Sequence, residues 1–241
     1  MSNLEAKKIA PATGTTVTLG AAGDAVEVAS SATLKTNTIK DAGGNTLFTS
    51  DGSGTITSIN SGFKPGLTFI SSQTASGSAS LSFTTGIDST YKEYVFFLTE
   101  INPATNDTNL TFQSSSDGGS NYNINATTTY FAAKHNESNT AASLGYESSY
   151  DQADSTNYIN LLFGIGNGSD ECGVGILKLF NPSSTTYVKQ WYCTNQFYHE
   201  ADYSFNAFVG GYFNTTTALN AVSLKMNSGN FDGTIAMYGT G

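Results

Sequence analysis

Apolar and polar residues alternate at the start of Ser78–Ile101, where Ala79, Leu81 and Phe83 are interleaved with Ser80, Ser82 and Thr84. That period of two belongs to a strand with one buried face. A polar turn over Gly86–Thr90 follows, and Tyr94–Leu98 is then apolar at every position, which predicts a strand covered on both faces. The same grammar continues, predicting strands over Ser80–Thr84, Glu93–Ile101, Asn109–Ser114, Tyr122–Ala132, Tyr158–Gly164, Gly173–Phe180, Tyr187–Phe197, Phe205–Phe213, Ala221–Met226 and Thr234–Tyr238. Leu110 and Phe112 point to one side of theirs. Turn formers such as Asn102-Pro103 and Asp117-Gly118-Gly119 separate the runs. Short, evenly spaced strands with no amphipathic helical window predict a sandwich, and the spacing favours a jelly roll.

Residues 1–77 read differently. Brief alternating pieces occur at Thr15–Leu19, Ala25–Val28 and Thr33–Thr36, and turn formers at Gly43-Gly44-Asn45 and Asp51-Gly52 divide Ile39–Ile59. After Ile39 itself, Leu47, Phe48, Ile56 and Ile59 are the only large apolar anchors of that stretch. Strands with so few apolar side chains do not offset the roughly 1–2 kcal/mol per residue of backbone ordering entropy. The expectation is an all-β chain in which an extended N-terminal β-stalk or anchor (1–77) precedes a C-terminal jelly-roll-like β-sandwich (78–241). A homotrimer would let three copies pool their few apolar residues along one axis. Docking into a larger particle, or an arm folded back on its own domain, are the other ways to order such a segment. Leu47, Phe48, Ile56 and Ile59, with Tyr94 and Phe96 of the apolar run, are the candidate subunit-interface residues.

Composition narrows the function classes. Charged residues are only 12% of the 241, aromatics are 12%, and the net charge is −9. Abundant Thr, Tyr and Phe suit pleated, half-buried surfaces. The ten Lys and Arg never cluster, so neither nucleic acid nor an anionic membrane is an expected partner. No window approaches the ~20 apolar residues of a membrane-spanning helix. Met1–Ala12 has Lys7 and Lys8 without an apolar run behind them, so synthesis in a cytoplasm is expected. Cys172 and Cys193 lie in consecutive predicted strands on either side of Asn181-Pro182-Ser183-Ser184, roughly opposite one another by counting. They are free core thiols or, if the geometry allows, a cross-strand disulfide.

Motifs that carry chemistry are missing. His135 and His199 have no partners at metal-ligand spacing. Asp117-Gly118-Gly119-Ser120-Asn121 lacks the carboxylates of a calcium loop. No nucleophile elbow or P-loop occurs, and Gly164-Ile165-Gly166-Asn167-Gly168 precedes no predicted helix. No cofactor, metal or catalytic residue is expected. The long polar segment Lys134–Asn157 is the one feature the fold does not require. Tyr146, Glu147, Tyr150 and Asp151 make it a candidate rim for a surface glycan, tyrosine rings stacking on sugar faces while carboxylates accept their hydroxyls. An ordinary loop or a subunit contact is the alternative. Carboxylates for polysaccharide cleavage meet only in space.

Short segments resemble a known group. Ile39-Lys40-Asp41 with Gly44-Asn45-Thr46-Leu47 and Asp51-Gly52-Ser53-Gly54 is similar to stalk segments of bacteriophage fibres and other virion structural proteins, marine phages especially. Ser82-Phe83-Thr84, Gly86-Ile87-Asp88 and Tyr91 are similar to the same group, as is the closing Gly233-Thr234-Ile235-Ala236-Met237-Tyr238-Gly239. The resemblance implies a non-enzymatic virion component, a trimeric tail fibre or spike contributing to host attachment. It would contact other virion proteins through its N-terminal segment and a host surface glycan through its head. A capsid decoration protein and a polysaccharide-degrading tailspike are the alternatives.

Overall fold

The computed structural model describes residues 36–60 and 66–240, and every regular element among them is a β-strand. The pieces at 1–35 lie outside the described residues. The chain divides into two units after Lys64.

In the first unit, β1 (Thr38–Lys40), β2 (Thr46–Ser50) and β3 (Ile56–Ile59) form an antiparallel sheet in that order. Aspartates close both hairpins. The Asp41 carboxylate accepts the Asn45 backbone N–H at 2.8 Å, and Asp51 accepts those of Ser53 and Thr55 at 2.7 and 3.1 Å. Gly44 supplies the left-handed residue of the first turn, at φ 83°. No described residue of 36–60 is buried.

The second unit contains β4 (Thr68–Ser78), β5 (Leu81–Phe83), β6 (Glu93–Pro103), β7 (Thr108–Ser115), β8 (Ala126–Asn136), β9 (Ala142–Tyr146), β10 (Ile159–Ile165), β11 (Gly173–Phe180), β12 (Lys189–His199), β13 (Tyr203–Phe213), β14 (Ala221–Met226) and β15 (Phe231–Thr240). All pairings are antiparallel. Eight strands run β4-β15-β6-β11-β12-β13-β8-β9, four run β10-β7-β14-β5, and a single pair, Ile165 with His199, joins the two sets. With β8, β9, β12 and β13 set aside, β4-β15-β6-β11 faces β5-β14-β7-β10, the two four-stranded sheets of a jelly roll. The four remaining strands widen one sheet. The all-β, jelly-roll-like sandwich is therefore the fold.

The boundary expected at residue 77 lies earlier. β4 pairs with β15 from Thr68 to Ser78 and belongs to the sandwich. It reads as linker because it is an edge strand, rich in Ser and Gly, with Ala75 its one buried residue.

The core fills the space between the sheets. Phe112 of β7 meets Trp191 and Phe213 edge-on at 4.7 and 5.7 Å, and Phe83 of β5 meets Phe96 at 5.4 Å. Such pairs add about 0.5–1.5 kcal/mol each beyond burial. Gly211, opposite Trp191, leaves room for its ring, since a Cβ there would stand 2.4 Å from the Thr127 carbonyl oxygen and 3.0 Å from the indole. The β10 register shifts between Asn160 and Leu162. The Leu161 carbonyl instead accepts Tyr130 Oη at 2.9 Å and Asn195 Nδ2 at 2.8 Å, both from the larger sheet. The Tyr130 hydroxyl and the Asn195 amide nitrogen thereby find an acceptor, and the layers are tied.

Tyr94 and Phe96, expected at a subunit interface, are fully buried here. Strand alternation turns Tyr94, Phe96 and Leu98 inward and Val95 and Phe97 outward. The Tyr94 hydroxyl donates to the Asp88 carbonyl at 3.1 Å and accepts its N–H at 2.9 Å. An apolar run does not reveal which of its faces is the core.

Truncating Phe112→Ala should cost about 3–5 kcal/mol, read as a lower midpoint in equilibrium denaturation at unchanged slope. His199 packs on Phe163 and Phe205, and its Nδ1 accepts the Ala201 N–H at 3.2 Å. Burial lowers its pKa below the ordinary 6.5. Its contribution to stability is complete above 6.5 and is lost as pH falls through the lowered folded value. NMR titration of its imidazole should give a midpoint below 6.5.

Candidate functional site

The larger sheet has a second face, turned away from the core. Backbone register lines its side chains up in rungs. One rung runs Phe69, Tyr238, Val95, Lys178, Tyr192, Gly210, Thr129 across seven strands. The next runs Ala236, Phe97, Ile176, Thr194, Phe208, Phe131, Tyr146, from β15 to β9. Phe69, Tyr146, Ile176, Tyr192, Phe131 and Phe208 are each between 37% and 57% exposed. Phe131 and Phe208 lie flat on one another at 5.2 Å, and Phe69 and Phe97 both meet Tyr238 edge-on.

Lys178 is the one charged side chain in these two rungs. It pairs with Glu93 at 2.7 Å and lies 6.0 Å from the Tyr192 ring centroid; the carboxylate raises its pKa. The band is electrically neutral in a chain of net charge −9. Two concavities open on it. One of about 350 Å³ is lined by Phe97, Ile176, Thr194 and Asn206; another of about 360 Å³ lies among Tyr192, Phe208, Phe131 and Gly210.

Towards the opposite end polar side chains enter the rungs. Val174, Gln196, Asn206, Ala133 and the exposed Leu144 form a mixed one, and Tyr198, Ser204, His135 and Ala142 the next. Val174, Gln196, Tyr198, Ser204 and His135, with Glu137 and Asp170 from the adjoining loops, line a concavity of about 430 Å³.

The segment expected to be a rim loop is in part a hairpin. Lys134–Asn136 ends β8, and β9 occupies Ala142–Tyr146. Of the candidate glycan residues, Tyr146 stands on the apolar band, its hydroxyl donating to the Asp151 carboxylate. Glu147 starts a turn, its carbonyl accepting the Tyr150 N–H at 3.1 Å. Tyr150 is no stacking platform, because its ring lies on Phe163 at 4.1 Å and packs against the core. Leu47, Phe48, Ile56 and Ile59 belong to the first unit, where Ile56 and Ile59 are exposed. Among the described residues no group of three or more His, Cys, Asp or Glu is placed to hold a metal.

Cys172 and Cys193 are free and do not face each other. Cys193 pairs with Leu177, while the Cys172 carbonyl accepts the N–H of Tyr198, five residues further along β12. The connection spans 181–188, longer than the four-residue turn on which the count rested.

Comparison with family models, with curated proteins and with solved structures returns no match. Function is therefore argued from the surface itself. The residues of the outer band, Tyr146 apart, were missed by sequence reading because eight strands each contribute one or two of them.

Burial pushes the Cys193 thiol up to about 12, and Cys172 is only half-buried. Alkylation of the folded protein at neutral pH, read by peptide mass, should label Cys172 and spare Cys193, since the thiolate is the reactive form.

Proposed function

We propose that the protein is a non-enzymatic structural component of a phage virion, a homotrimeric fibre or spike whose head takes part in host attachment. The observation that supports this most is the neutral apolar band across the larger sheet. Six side chains exposed by about half, five of them aromatic rings of roughly 150–250 Å² each, present on the order of 500 Å² of largely apolar surface. That matches the largest patch of a typical soluble monomer, about 300–600 Å², which is often functional, and each partner in a standard interface contributes ~800 Å². Copies of a chain this acidic repel one another through most of their surface. The band is a place where they can meet without opposing charges.

The first unit points the same way. Ile39 and Ile56 line a concavity of about 340 Å³ on the three described strands of that unit, where no described residue is buried. A sheet of that size needs an apolar face covered to persist. The resemblance of Ile39–Gly54 to fibre stalks supports the virion assignment, and multiple weak contacts made by a trimer give avidity without a strong single site.

Sedimentation equilibrium tests the assembly. The full chain should weigh three times its 25.3 kDa. Ile176→Glu and Phe208→Glu should each shift it towards monomer with unchanged near-ultraviolet dichroism. A wild-type monomer would contradict the fibre reading and favour the decoration alternative.

A further inference from the structure

We propose that the polar end of the outer sheet face is a binding site for a neutral saccharide. The proposal rests on the attachment reading for its purpose and supplies that reading with a ligand class. The concavity there, about 430 Å³, falls within the ~300–1,000 Å³ of small-ligand sites. β12 and β13 form its floor. The Asn136–Asn139 turn, whose Glu137 N–H bonds the Asp202 carbonyl at 3.0 Å, forms one wall, and the loop bearing Asp170 forms another.

Its polar side chains are held in place. The Tyr198 hydroxyl donates to Asp202 at 3.0 Å, and Gln196 Nε2 donates to Ser204 Oγ at 2.8 Å. His135 Nε2 lies 3.1 Å from Asn139 Oδ1. A fixed phenol ring beside Val174 offers an apolar surface to the C–H face of a sugar. The rim offers acceptors to its hydroxyls: the carboxylates of Glu137 and Asp170, and the Oε1 of Gln196.

The charge pattern selects the ligand. No Lys or Arg lines the concavity, while two carboxylates do, so an anionic sugar would be repelled. Hydrogen bonds from neutral hydroxyls to carboxylates are charge-assisted and are the stronger kind. A metal ion is not favoured, because the acidic groups form no ligand cluster. The apolar band lies on separate rungs, so one face carries both an assembly surface and a binding pocket.

Saturation-transfer NMR on the full chain tests the site, with glucose, galactose, N-acetylglucosamine and glucuronate as separate probes. At least one neutral sugar should bind and glucuronate should not. Tyr198→Ala should weaken binding by about tenfold through lost stacking. Glu137→Gln and Asp170→Asn, at exposed positions that leave the fold intact, should each weaken it through a lost charged acceptor. Ile176→Glu, on the apolar band, should leave it unchanged. The proposal is overturned if no neutral sugar binds, if glucuronate binds equally, or if Glu137→Gln and Asp170→Asn both bind like the wild type. A wild-type monomer that still binds sugar would remove the trimer and keep the site, so the two failures are told apart.

Discussion

The larger sheet carries apolar side chains on both faces, and the sandwich supplies a layer for only one of them. Four strands, helped by Tyr150 and the loop it closes, cover the inner face so fully that Tyr94, Tyr130, Phe112 and Phe213 are solvent-free. The outer face keeps Phe69, Tyr192, Phe208, Phe131 and Tyr146 in water. Burying such rings is worth about 1.5–3 kcal/mol apiece. A partner surface therefore has a large apolar free energy to gain there, provided it brings no charge.

The inserted strands create this imbalance. A jelly roll without β8, β9, β12 and β13 would match four strands to four. Widening one sheet requires ties beyond packing, because strands far from the smaller sheet have less to lean on. Tyr130 of β8 and Asn195 of β12 supply them by converging on the Leu161 carbonyl. Losing either donor leaves the other to satisfy a buried carbonyl alone, whereas losing the register shift in β10 would leave two buried donors without an acceptor.

Much of the fold was legible because half-buried strands announce themselves by alternation. Leu110 and Phe112 do share a face, and Trp191, alternating along β12, is core. What stayed hidden followed from the same physics. β4 is an edge strand whose many Ser leave little periodic apolar signal, and β9, where Ala142, Leu144 and Tyr146 alternate with Ser143 and Gly145, is only five residues long and buries none of them. Tyr94–Leu98 is apolar on both faces, so its inward residues could not be told from its outward ones. The two cysteines were placed opposite by counting from too short a turn. The candidate surface was illegible as a motif. Its residues run from Phe69 to Tyr238, and only the antiparallel register brings them onto two rungs.

The central claim is that the outer band is covered by further copies of the chain. Hydroxyl-radical footprinting across a dilution series tests it most directly, with the 70%-exposed Tyr187 as internal reference. The reactivity of Phe131, Tyr192 and Phe208 relative to Tyr187 should be low at high protein concentration and rise on dilution. A ratio that stays the same at every concentration would contradict the account.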